Sequence, residues 1–157
     1  MPVRAQDTPA GNMAKMDEKY GFREVTFEQP VSSFKNLKFF VKKGLSKIYD
    51  RSNESLLLGT YRLQHVYYTF YKGLLSEVTV TLSERPNVEG VYGLLVKAYG
   101  PAAVVENTYQ WEGQRVRMTL QPSYYGSEAI LRVFSKPLLQ REQADKEASD
   151  RRAASEL

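Results

Sequence analysis

Tyr67-Tyr68-Thr69-Phe70-Tyr71-Lys72-Gly73-Leu74-Leu75-Ser76-Glu77-Val78-Thr79-Val80-Thr81-Leu82 is the stretch on which the fold turns. Val78, Val80 and Leu82 alternate with Glu77, Thr79 and Thr81, the period of a strand with one buried and one wet face. Lys72-Gly73 separates this run from an aromatic one. Gly accepts the positive φ of a tight turn, so the two runs read as a long antiparallel hairpin. Leu56 to Tyr71 supplies its first arm. A helix signal follows at once. Val88, Val91, Tyr92, Leu95, Val96 and Tyr99 fall at i, i+3, i+4, i+7, i+8 and i+11, one apolar stripe. Asn87 is the expected N-cap after Pro86, and Gly100-Pro101 ends the helix. A hairpin feeding an amphipathic helix of about residues 87–99 predicts a two-layer α+β fold.

Reading outward, Phe22 to Phe27 alternates and suggests a first strand, which Pro30 stops. Val31 to Leu37 predicts one or two helical turns capped by Ser32, with Phe34 and Leu37 on one face. Phe39-Phe40-Val41 and Ile48-Tyr49 predict a strand pair turning near Gly44. Downstream, Thr108–Trp111 and Gln114–Gln121 flank Glu112-Gly113, and Ala129–Ser135 reads as the last strand. The expectation is a mostly antiparallel sheet of five to seven strands, with the helix on one face and Gly93 easing its close approach.

The ends read differently. Residues 1–19 are polar and read as a disordered leader. Within them, Val3-Arg4-Ala5 before Gln6 has the small residues of a signal-peptide cleavage site. Residues 137–157 read as a polar tail, a frayed helix or disordered. The expected domain is therefore residues 20–136. Residues 1–19 and 136–157 each carry as many acidic as basic side chains, which leaves fourteen basic and ten acidic residues between them. Lys35, Lys38, Lys42, Lys43, Lys47 and Arg51 cluster there. Attraction to an acidic partner such as nucleic acid is one meaning; an ordinary solvated surface is the plainer one.

Much chemistry is excluded at this stage. The 157 residues contain no Cys and one His, so disulfides, thiolate metal sites and cysteine nucleophiles are out. No phosphate-binding glycine loop and no Gly-x-Ser-x-Gly elbow occurs. His65, alone on a strand, reads as structural or surface. Glu77, Glu84, Glu89, Glu106 and Glu112 supply a carboxylate pair only by count. No catalytic residue, cofactor or metal is expected, and no stretch reaches the length of a membrane span. The remaining candidate is a binding surface of Tyr67, Tyr68, Phe70, Tyr71, Trp111, Arg115 and Arg117, a platform on which bases or sugars would stack. The alternative is cross-strand aromatic pairing that stabilises the sheet.

The order Gly21-Phe22-Arg23, Phe70-Tyr71-Lys72-Gly73, Tyr99-Gly100 and Tyr109-x-Trp111 resembles that of a group of small uncharacterised bacterial proteins, often exported. The resemblance covers residues 20–136. It implies an exported α+β domain and supplies no catalytic residues. The expected function is thus a non-enzymatic binding module, periplasmic or secreted, with a protein or other ligand of the envelope as partner; a cytoplasmic location is the alternative. Polyanion binding and a hydrolase with dispersed carboxylates stand as alternative functions.

Overall fold

A computed structural model describes residues 9–157. Eight strands form one antiparallel sheet: β1 (Leu37–Lys43), β2 (Ser46–Arg51), β3 (His65–Tyr71), β4 (Leu74–Ser83), β5 (Ala103–Val105), β6 (Thr108–Glu112), β7 (Val116–Pro122) and β8 (Glu128–Ser135). Their order across the sheet is β1-β2-β3-β4-β8-β7-β6-β5. Each group of four is a meander of sequential hairpins. Helix α2 (Arg85–Tyr99) links the two groups, and β4 and β8 join them. Two further pairs are short, Gly21–Phe22 with Val25–Thr26 and Leu57–Leu58 with Tyr61–Arg62. The sheet exceeds the expected five to seven strands because Ala103–Val105 adds an edge strand. Three residues are too few to show an alternation.

Strand chemistry explains the layers. Val66 and Tyr68 of β3, Val78, Val80 and Leu82 of β4, and Leu131 and Val133 of β8 are buried on one face. Val88, Val91 and Leu95 of α2 complete that core from above. Lys72 and Gly73 both take positive φ, 50° and 80°, which gives the β3–β4 turn its two-residue form. Helix packing selects Gly90 rather than Gly93. A Cβ at Gly90 would lie 2.1 Å from the Tyr61 ring, whereas nothing stands within 4 Å of one at Gly93.

Several local expectations change. Residues 9–19 form helix α1 (Pro9–Lys19), and Met13 and Met16, three apart, bury their side chains in the core. The order therefore extends before residue 20. The Val3-Arg4-Ala5 site lies outside the described residues. Val31–Ser33 is only a 3-10 turn, since Phe34 is already extended and Asn36 at φ 65° redirects the chain into β1. The arm from Leu56 to Tyr71 is not one strand: Gly59, at φ 62°, folds its start into the small pair, and β3 begins at His65. Asn87 sits inside α2 rather than capping it. Its amide donates to the Ser83 carbonyl and its carbonyl accepts from Arg62 N.

The C-terminal segment is helix α3 (Lys136–Ala154). Ser135 Oγ caps it by accepting from Leu138 N, and Leu138 is buried. Ser135 also meets Tyr20 Oη at 2.5 Å, and Tyr20 in turn donates to Glu28. The sequence hides this docking because Leu138 and Leu139 stand alone before a polar run. No helix among the described residues is long and apolar enough to cross a membrane.

Candidate functional site

The face of the sheet away from α2 is a register of polar and aromatic side chains. Tyr67, Thr79, Arg132 and Thr119 stand side by side across β3, β4, β8 and β7. One step along lie Thr69, Glu77, Phe134 and Arg117. Alternation places each of them. Leu131 and Val133 point into the core, so Ile130, Arg132 and Phe134 must point out.

Helix α3 crosses one end of this outer face. Ser46 Oγ donates to Glu142 at 2.9 Å, and Tyr71 Oη donates to Asp145, which also pairs with Lys72 at 2.9 Å. Glu112 pairs with Lys136 at the helix start. A cleft of about 240 Å³ remains between α3 and the strands. Its lining includes Phe40, Ile48, Tyr67, Phe134 and Leu139 as apolar walls, with Lys43, Thr69, Glu77, Thr79, Arg132 and Glu142 as polar ones. Phe40, the extra residue of a bulge between Phe39 and Val41, faces this side and stacks on Tyr67 across β2 with centroids 5.2 Å apart. His65 stacks on the same Tyr67 at 5.6 Å. Tyr67 and His65 also line a neighbouring cleft of about 350 Å³ with Lys38, Asp50 and Gln64.

The charges in the first cleft are unequally engaged. Glu77 accepts from Thr79 Oγ1 at 2.8 Å, and Glu142 from Ser46. Among the described residues, the side chains of Arg132 and Lys43 make no hydrogen bond or ion pair. A partly apolar cleft with free cations and hydroxyl donors suits a ligand that has an apolar body and an anionic group.

Two carboxylates hold the roof in place. Hydrogen bonds from Tyr71 and Lys72 keep Asp145 below the usual carboxylate range. Partial burial disfavours the Glu112 carboxylate, yet bonds from Arg117 and Lys136 outweigh it and also hold it low. Among the described residues, no group of three or more His, Asp or Glu could hold a metal ion.

Of the seven residues expected to form a surface, only Tyr67 lines the cleft. Tyr68 is buried, and its hydroxyl donates to Glu54. Glu54 also binds Arg51 and Arg23. Burial and then the Glu54 contact push the Tyr68 hydroxyl far up in pKa. Phe70 packs edge-on between Phe34 and Tyr49, at 5.2 and 5.4 Å. Tyr71 is buried beneath α3. Trp111 is buried and donates from Nε1 to the Gly100 carbonyl at 2.9 Å. Arg115 lies over the Tyr20 ring at 3.8 Å, away from the cleft. Arg117 is on the outer face, but Glu112 engages it. These residues therefore do not make one stacking platform: strand alternation sends Tyr68, Phe70 and Trp111 inward. Phe40, Arg132, Phe134 and Leu139 were missed. Alternation in Ala129–Ser135 was the available signal for Arg132 and Phe134.

The short motifs noted in the sequence have structural work. A Cβ on Gly21 would lie 2.0 Å from the Val25 carbonyl oxygen. Arg23 donates to the carbonyls of Ser55 and Leu57. Gly100 takes φ 83° at the end of α2 and receives Trp111. None of the motif residues lines the cleft. Compared with known proteins, the chain matches no family model, no curated protein and no solved structure.

Proposed function

We propose that this chain is a binding module and that the cleft under α3 receives a small ligand with an apolar body and an anionic group. The observation that carries the reading is Arg132. Arg132 lines the cleft beside Phe134, and no acidic group among the described residues engages its side chain. Tyr67 and Phe40 supply a ring wall for the apolar part. The test is a thermal-shift and titration panel of aromatic and aliphatic carboxylates against the matching amines and alcohols. Carboxylates alone should stabilise the protein, and Arg132→Gln should abolish the effect. Equal stabilisation by the amines would sink the reading.

The motif order that resembles exported bacterial proteins supports a setting in the cell envelope. Fractionation of the native host checks this, and recovery with the cytoplasmic markers would end it. A hydrolase is the second reading, favoured by one observation: Glu77 and Glu142 line the same cleft. It requires turnover of a glycoside or ester panel that disappears in both Glu77→Gln and Glu142→Gln.

A further inference from the structure

Among the described residues, no strand pairs with the outer edge of β1. It is seven residues long, and all but Leu37 are exposed. Phe39, Phe40 and Val41 are 59%, 58% and 42% exposed, and Leu45 in the following turn 47%. Lysines surround them. Lys42 stands directly opposite Lys47, a like-charge pair that weakens a ladder. Residues 35–51 hold six cations and one acid, Asp50, a net charge of +5. The whole chain is +4, so everything outside this hairpin sums to −1. Lysines alone on an edge guard against strand addition. Phe-Phe-Val exposed on that same edge invites it.

We infer that β1 is the docking strand for an extended, acidic segment of a partner protein, which joins the sheet beyond β1. The free edge offers a row of N–H and C=O groups that another strand satisfies. Alternation puts Phe39 and Phe40 on opposite faces of the strand: Phe39 packs on Tyr49 at 5.7 Å, Phe40 on Tyr67. An incoming strand therefore finds an aromatic contact on each side. The lysines select acidic side chains. A second copy of this chain is disfavoured, since it would bring +5 against +5. A lipid surface would press the unpaired edge groups against an apolar medium that cannot bond them. The opposite edge, β5, is three residues long and carries no lysine, so it serves as an internal control.

The full chain is titrated with a seven-residue peptide of alternating glutamate and valine, followed by amide hydrogen exchange. Amides of residues 37–43 should gain protection, with none gained in β5. Lys42→Glu with Lys47→Glu should weaken binding about tenfold or more. Neither lysine lines the cleft, so this result stands apart from the carboxylate panel. The same peptide N-methylated at alternate residues keeps its charge and side chains but loses its donors, and it should not bind. Equal binding of the methylated peptide overturns the inference. So does an absence of protection at about 1 mM peptide, a weak-binding limit. Binding to heparin or to phosphatidylglycerol vesicles without binding to the peptide overturns it too.

Discussion

The carboxylate of Asp17 occupies the space that a side chain at Gly113 would need. A Cβ there would lie 2.3 Å from Asp17 Oδ1. The same carboxylate accepts the N–H groups of Gln114, Arg115 and Val116 at 2.7, 2.8 and 3.0 Å. One acid thus fastens α1 to the β6–β7 turn. Asp17→Ala should cost about 2 kcal/mol, as for hydrogen bonds to a charged group. Gly113→Ala displaces the same carboxylate, so the double variant should lose much less than the two singles together. Urea unfolding of all four proteins measures this, and simple additivity would refute it.

The two glycines inside α2 should respond with opposite signs. Gly90→Ala drives a methyl into Tyr61 and should destabilise by about 1–3 kcal/mol, the range for overpacking. Gly93→Ala meets open space in a helix interior and should stabilise by about 0.5–1 kcal/mol. Thermal unfolding of both variants is the check.

Glu54 is the shared acceptor of Tyr68, Arg51 and Arg23, with its side chain 7% exposed. Removing it leaves the Arg23 guanidinium partly buried without a counter-charge and Arg51 with Glu24 alone. Glu54→Ala should therefore cost about 3–5 kcal/mol, as breaking buried pairs does. Tyr68→Phe removes one donor and leaves the ion pairs, so about 1 kcal/mol is expected. Denaturant midpoints at fixed slope distinguish the two.

Acid should release α3. Asp145 and Glu112 both have carboxyls held below their unfolded values. Their contribution is complete above the unfolded pKa, about 4, and fades as pH falls through the lower folded value. Exchange of α3 amides should thus be flat from pH 7 to about 5, once intrinsic rates are corrected, and accelerate below about 4. Asp145→Asn should show the faster exchange already at neutral pH. Unchanged α3 protection in that variant would contradict the docking role.

Arg132 separates binding from folding. Exposed and without a partner among the described residues, it should tolerate Arg132→Gln within about 0.5 kcal/mol. Leu138→Ala should instead cost about 2–5 kcal/mol, because Leu138 is buried where α3 leaves the sheet. Unfolding curves set beside ligand titrations show whether the two properties part in this way.

Elements with a long, regular period were legible in the residues: the Val78–Leu82 alternation, the Val88–Tyr99 stripe, the Lys72-Gly73 turn and the α+β class. What escaped depends on distant neighbours. Nothing near Met13 and Met16 says that a core awaits them, and Leu138 and Leu139 precede a run that is polar throughout. The site escaped for a related reason. Tyr67 could be assigned to a face, but not which face was open. Arg132 could be seen to point outward, but not that β8 lies beside β4. Sheet order is a long-range fact, and local patterns do not carry it.

The seam between β4 and β8 is where the two meanders meet, and the cleft straddles it. Tyr67 and Thr79 come from the first meander, Arg132 and Phe134 from the second. Each meander closes through neighbours in the chain, whereas the seam joins segments separated by α2 and three strands. Loop closure makes such a junction slow to form. A ligand spanning Tyr67 and Arg132 would act as a clamp across that junction, binding the closed sheet and neither half alone. At a hundredfold excess over its Kd it would add about 2.7 kcal/mol to the stability of the whole. Occupancy of the cleft would thus be read out as resistance of the entire domain to opening along its middle.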